Sequence, residues 1–197
     1  MVMPIAAARA DEGIATDRPD FVESSDVVGR GRLQIETSIA GERSKLDGLR
    51  IRGLATPTLL RFGISEDLEL RLETDGRLSI KAGPTRERGW ADTAIGFKWH
   101  LQDGDESRSR PGVALLVHAD LASGSGAFRG QGTRPSLRAT FEWELADGYS
   151  FGLMPGLYQD RNDNGRRYTG GILAATLGKQ LGENWRGFVE IAGQQLA

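Results

Sequence analysis

Cysteine is absent from all 197 residues. Thiolate zinc sites, disulfide frameworks and cysteine nucleophiles are therefore excluded. The absence does not locate the protein, but it suits a chain that crosses an oxidising compartment unfolded. Long apolar runs are missing too. The longest strongly apolar stretch, Val113-Ala114-Leu115-Leu116-Val117, falls far short of the roughly 20 residues a helical membrane span needs. An excess of one charge is also lacking. Lys and Arg number 25 against 27 Asp and Glu, for a net charge of -2, so the basic face of a nucleic-acid binder is not expected. Helical i, i+3, i+4 spacing is sustained nowhere. If such a chain enters a membrane it does so as a closed sheet, because lipid tolerates only helices and barrels. Its mean hydropathy of -0.37 does not oppose that, since half of each barrel strand faces a polar lumen. Charged residues make up 26%, an ordinary share for one folded unit and no sign of disorder.

What the chain does have is a period of two. Leu33, Ile35, Thr37 and Ile39 alternate with Arg32, Gln34, Glu36 and Ser38. Leu68, Leu70 and Leu72 alternate with Glu69, Arg71 and Glu73. Thr93, Ile95, Phe97, Trp99 and Leu101 alternate with Asp92, Ala94, Gly96, Lys98 and His100. The same holds for Val113 to Ala119 against Ala114 to Asp120, and for Leu137 to Leu145 against Ser136 to Glu144. Strict alternation marks strands with one wet and one apolar face. Less regular strands are expected at 54–64, 149–158 and 168–181, and a ninth begins near Trp185. Many of these spans approach the ten residues that a tilted strand needs to cross a bilayer.

The connections alternate as well. Ser65-Glu66-Asp67, Ala146-Asp147-Gly148 and Gly182-Glu183-Asn184 read as tight hairpins. Residues 41–48, 74–89, 122–134 and 159–167 read as longer polar loops, with 102–110 of middling length. Short turns on one side and long loops on the other are the layout of an outer-membrane barrel. The aromatic residues Trp90, Trp99, Trp143, Tyr149 and Trp185 stand at expected strand ends. They are candidates for the girdles at the membrane interfaces, or else for ordinary packing there. At the start, Ile5-Ala6-Ala7-Ala8-Arg9-Ala10 followed by Asp11-Glu12 resembles the end of a secretory signal, although a merely alanine-rich terminus would look alike. The expected division is residues 1–10 as signal remnant, 11–30 as a periplasmic or lumenal segment, and 31–197 as the barrel.

Several segments together resemble one family. They are Thr16-Asp17-Arg18-Pro19-Asp20-Phe21, Gly31-Arg32-Leu33-Gln34-Ile35-Glu36, Pro57-Thr58-Leu59-Leu60-Arg61-Phe62-Gly63 with Leu68-Glu69-Leu70-Arg71, and Trp185-Arg186-Gly187-Phe188-Val189-Glu190. The chain is similar over most of its length to the outer-membrane transporter family linked to meta-pathway phenol degradation. The resemblance implies an all-β, antiparallel up-and-down barrel of about 10–12 strands that admits aromatic or other hydrophobic compounds. Only about nine strands are counted here, and family members run on to a strand ending in an aromatic residue. A C-terminally truncated barrel is therefore expected.

Other motifs point elsewhere and weaken on inspection. Asp160-Arg161-Asn162-Asp163-Asn164-Gly165 begins like a calcium loop, but Gly171 stands where the bidentate Glu belongs. Gly124-Ser125-Gly126 begins like a dinucleotide fingerprint, but Arg129 holds the third glycine position and no helix follows. The two histidines, His100 and His118, fall on the polar face rather than the apolar one. A pore-lining role fits them better than a hydrolase triad. No catalytic residue, metal or cofactor is expected.

The functional expectation rests on the inward row: Glu36, Glu69, Arg71, Glu73, Asp92, Lys98, His100, His118, Asp120, Arg138, Glu142 and Glu144. These line a lumen, or close it with salt-bridged ladders. The arginines of the long loops, among them Arg77, Arg86, Arg88, Arg129, Arg134, Arg161, Arg166 and Arg167, are solvated loop charge or contacts to anionic lipid headgroups. The resulting expectation is a non-enzymatic channel in the outer membrane of a Gram-negative bacterium. Its partners would be membrane lipid and a small solute, with no nucleic acid. Two alternatives stand beside it. A soluble periplasmic calyx binding a lipid-like ligand would invert the faces, with apolar residues inside. A plugged structural or enzymatic barrel would pass nothing.

Overall fold

The computed structural model describes residues 16–17, 21–46, 48–162, 164–183 and 185–194. The segment expected to be a signal remnant lies outside them. The fold is all-β and antiparallel. Its strands are β1 (Leu33–Thr37), β2 (Ala40–Leu46), β3 (Leu49–Ala55), β4 (Thr58–Gly63), β5 (Leu68–Thr74), β6 (Arg77–Ala82), β7 (Thr85–Trp90) and β8 (Thr93–Gln102). They continue with β9 (Gly112–Leu121), β10 (Arg134–Leu145), β11 (Tyr149–Arg161), β12 (Arg167–Gln180) and β13 (Arg186–Gln194). The helical content among described residues is three single 3-10 turns. None is long and apolar enough to cross a membrane, which says nothing of strands.

Nine strands form the main sheet in the order β1-β4-β5-β8-β9-β10-β11-β12-β13. They correspond to the nine expected from the sequence, five from strict alternation and four from less regular segments. The remaining four form a second sheet, β2-β3-β6-β7, and here the sequence expectation is corrected. Residues 41–48 and 74–89 are not polar loops but the outer halves of two long hairpins. Strand β1 runs on into β2, β3 into β4, β5 into β6 and β7 into β8, each pair parted by a two-residue break. At those breaks Pro57 lacks an N–H to donate, and Gly76 takes a φ of +66°. Bonds from Ser38 N to the Pro57 carbonyl (3.0 Å) and from Ala91 N to the Gly76 carbonyl (2.8 Å) keep the two sheets joined. The 159–167 connection also shrinks, because β11 and β12 pair as far as Arg161 opposite Arg167. Asn162 Oδ1 accepts the amides of Asn164 and Arg166 in that hairpin.

The two faces of the main sheet differ as the alternation requires. Leu33, Phe62, Phe97, Val117, Leu137 and Leu177 point to one side and stay exposed, at 44–62%. Arg61, Glu69 and Lys98 point to the other and are buried completely. A soluble calyx needs the reverse, so its predicted inversion is not found.

The sheet is strongly coiled, and chain length gives the reason. Asp17 bonds Arg71 of β5, while Phe21 bonds Glu190 of β13. Those strands lie six places apart, roughly 29 Å in a flat sheet. Four residues of chain span at most about 14 Å, and side chains that stand roughly perpendicular to a sheet add little reach across it. Both bonds form because the sheet curls around the segment. Strand β1 pairs with β4 and β13 with β12, so these two strands are the sheet's edges.

Candidate functional site

The inner face is built by side chains of one parity from successive strands. Glu36 comes from β1, Arg61 from β4, Glu69 and Arg71 from β5, Lys98 from β8, and Arg138 from β10. Alternation alone brings them to one side. Burying charges is costly unless each is paired and hydrogen-bonded, and here they are. Arg61 Nε donates to Glu69 Oε1 at 2.9 Å and Arg61 Nη1 to Glu36 Oε1 at 3.3 Å. Arg71 Nη1 donates to the same Glu69 oxygen at 2.8 Å.

In the cluster around Arg61, Arg71, Lys98 and Arg138 these strands supply two of the carboxylates, and Asp17 and Glu23 of the N-terminal segment supply two more. Asp17 accepts from Lys98 Nζ at 2.8 and 2.9 Å and from Arg71 Nη1 at 2.5 Å. Glu23 meets Arg71 at 2.6 Å and Arg138 at 3.0 Å. Four carboxylates, Asp17, Glu23, Glu36 and Glu69, thus face four cations, Arg61, Arg71, Lys98 and Arg138. Burial by itself would raise the Asp17 carboxyl, but Lys98, Arg71 and Arg61 hold it well below the usual carboxylate range. Glu23 is likewise lowered. Burial opposes that shift too, and Arg71 is the leading cation that overcomes it.

The segment's backbone is held as firmly as its side chains. Glu190 of β13 accepts the amides of Phe21 and Val22 at 2.8–3.0 Å. Glu142 of β10 accepts Ser25 N at 2.6 Å and both serine hydroxyls nearby. Glu69 accepts Val28 N at 3.0 Å. In return Lys98 donates to the carbonyls of Ser24 and Asp26, and Thr140 donates to that of Glu23. Val22 is the apolar pin. It packs on Met154 and Ala174, over Gly152, where any added Cβ would lie 2.9 Å from the valine methyl.

The expected lumen residues divide into three groups. Glu36, Glu69, Arg71, Lys98 and Glu142 join the network around the segment, and His118 is buried beside it over Gly96. Glu73, Asp92, Asp120 and Arg138 line an open cleft of about 450 Å³ beside the second sheet, with Phe128 and Arg134. At the short-turn end, His100 bonds the Ser25 carbonyl and Asp103, each at 2.9 Å, while Glu144 is exposed. Asp92 is not a strand residue. It sits between β7 and β8 and anchors the 122–133 connection, accepting Gly124 N at 2.7 Å, Gly130 N at 2.9 Å and Arg134 Nη2 at 2.9 Å. Although burial acts against it, these donors lower its carboxyl from the usual value.

Of the aromatics, Trp99 and Tyr149 lie exposed near the short turns, as does Trp185. Trp143 is half-buried between Phe141 and Phe151. Trp90 is the last residue of β7 and is exposed at the opposite end.

A family model described as "Putative MetA-pathway of phenol degradation" matches residues 16–196. The chain belongs to this family. No curated protein and no solved structure matches it. The match to the phenol-degradation family takes in Asp17, the rest of the inner segment and all thirteen strands.

Sequence reasoning missed Arg61, Asp17, Glu23 and Glu190. Arg61 stands between Leu60 and Phe62, and Glu190 between Val189 and Ile191, so parity could have found both. Asp17 and Glu23 lie in a segment without periodicity, and no such signal marks them.

Proposed function

We propose that this member of the phenol-degradation family is an outer-membrane protein of a Gram-negative bacterium. In this reading it passes small hydrophobic or aromatic molecules and catalyses no reaction, and Asp17 with residues 21–28 sits in the passage as a plug. The observation that carries the reading is the inside-out chemistry of the main sheet, with apolar side chains exposed and charged ones buried. Water gives no reason for that arrangement, whereas hydrocarbon outside and a polar interior do. The segment's two carboxylates, Asp17 and Glu23, pair with a cluster of inner cations, so its withdrawal would expose Arg71 and Lys98 to any solute that enters.

One alternative has an observation of its own. The network around the segment is charge-matched and tightly bonded, which also suits a permanently plugged barrel. Two measurements separate these readings. The chain would be expressed with a native secretion signal, washed outer membranes extracted, and boiled and unboiled samples compared on a denaturing gel. The expected result is a membrane-bound protein whose unboiled band migrates faster. Protein recovered from the soluble periplasm without a shift overturns the membrane assignment. Liposome flux of a small phenol would then be compared for wild type and Glu190→Ala. Faster flux in the variant supports the plug as a gate, and no flux in either supports the closed barrel.

A further inference from the structure

The second sheet carries a charge distribution that its own fold does not neutralise. Directly opposed residues on antiparallel strands point to the same face. The register sets Arg43, Arg52, Lys81 and Arg86 in one row across all four strands. The Lys45–Arg50 pair flanks that row on one side, and Arg88 and Arg77 follow on the other. Eight exposed cations thus share a face. None of them is ion-paired among the described residues. The two carboxylates of these strands, Glu42 and Glu87, stand on the opposite face, opposite Gly53 and Ile80. Like charges placed directly across a sheet repel, so four in a row destabilise the sheet unless something anionic covers them. The cationic face is also concave, with a depression of about 510 Å³ over Arg52, Lys81 and Arg86.

The direction of this face is fixed by its reverse side. Leu78, on the reverse, lines the open cleft together with Ala94 and Arg138 of the inner wall. Gly89, also on the reverse, lies against Phe128 and Ser125. The cations therefore turn away from the cleft, to the same side as the exposed apolar row of the main sheet. Between that row and the cations lie Leu54 and Trp90, 50% and 62% exposed. Apolar, then aromatic, then cationic is the order met on moving from hydrocarbon into a headgroup layer.

We infer that the outward face of the second sheet binds phosphorylated lipid headgroups, with Arg52, Lys81 and Arg86 at its centre. The inference rests on the membrane reading above. Phosphate oxygens supply the anions that the row lacks, and guanidinium groups take them bidentately. Anchoring by lipid would hold the two outer hairpins upright on the membrane surface.

The test uses the full chain in neutral detergent, with lipid A, its dephosphorylated form and inorganic pyrophosphate as probes, and binding read by thermophoresis. Lipid A is expected to bind, its affinity to fall steeply with added salt, and the dephosphorylated lipid to bind far more weakly. The variant R52Q/K81Q/R86Q is expected to bind lipid A about a hundredfold more weakly, at roughly a factor of five per cation removed. Equal binding by wild type and variant overturns the proposal. So does complete displacement of lipid A by an equal concentration of pyrophosphate, which would assign the face to soluble polyanions. Stability without lipid gives an independent readout. Relief of repulsion predicts that the variant unfolds at the same temperature as wild type or higher, and a clear drop would make the row structural and overturn the proposal. Failure of the membrane reading shows separately, as loss of the heat-dependent gel shift, whatever the lipid result.

Discussion

Asp17 bonds Lys98 and Arg71 and lies within 3.5 Å of Arg61, so its loss leaves three buried cations short of a counter-charge. Removing one partner from a buried charge cluster typically costs about 3 kcal/mol or more. Asp17→Ala is accordingly expected to lower the temperature at which the folded gel band is lost, and Asp17→Glu to restore part of it. The pH dependence follows from the depressed native value. Such a carboxyl contributes stability above its unfolded value of about 3.9 and loses it only as the pH falls through the lower native value. The segment should thus resist protease at pH 4 as it does at pH 7, and release near pH 4 would contradict the geometry. Gly63 offers a second test at this scale. A Cβ there would overlap the Gly29 carbonyl oxygen, so Gly63→Ala must push the lead-in to β1 away, at a cost of about 1–3 kcal/mol. Denaturant unfolding would measure it.

Strands and connections carry the next predictions. The 122–133 connection hangs on one carboxylate, and Asp92→Asn should speed hydrogen exchange at the Gly124 and Gly130 amides that it accepts. Because the Asp92 value is lowered in the fold, its contribution is present above the ordinary carboxylate range and lost as the pH falls below it. Unchanged exchange in the variant would mean that the connection is held by Arg129 and the Ala122 carbonyl instead. At this scale the sequence was legible in part, and for a physical reason. Most main-sheet strands set an exposed apolar row against an inner row that carries polar or charged residues, and alternation reveals that; β11 and β12, with Met154, Ile172 and Ala174 on the inner row, alternate less cleanly. Strands β2 and β7, with residues such as Glu42, Arg43, Arg86 and Arg88, are polar on both faces, so nothing alternates and they look like loops. The inward charges were read from the same alternation, whereas Asp17 and Glu23 belong to an extended segment whose position only the tertiary fold decides.

For the molecule as a whole, the exposed apolar row is the feature that a lipid environment would explain. Val117, in the middle of β9, is 49% exposed on that row. Replacing it with Arg should disfavour the membrane-inserted state by about 2–4 kcal/mol, the usual cost at the midplane of a bilayer. The expected outcome is a reduced membrane fraction and a weaker heat-shifted band for Val117→Arg. A lysine at Ser79, which lies on the cationic face of the second sheet, should leave insertion unchanged. Equal membrane recovery of Val117→Arg and wild type would place this row in water.

The bond between Phe21 and Glu190 joins residues 169 positions apart. Contacts of such separation close late in folding, because the entropy of ordering the intervening chain must be met before they contribute. The N-terminal segment thus waits for β13. Until β13 pairs with β12, Glu190 is not in place and the amides of Phe21 and Val22 lack the carboxylate that accepts them.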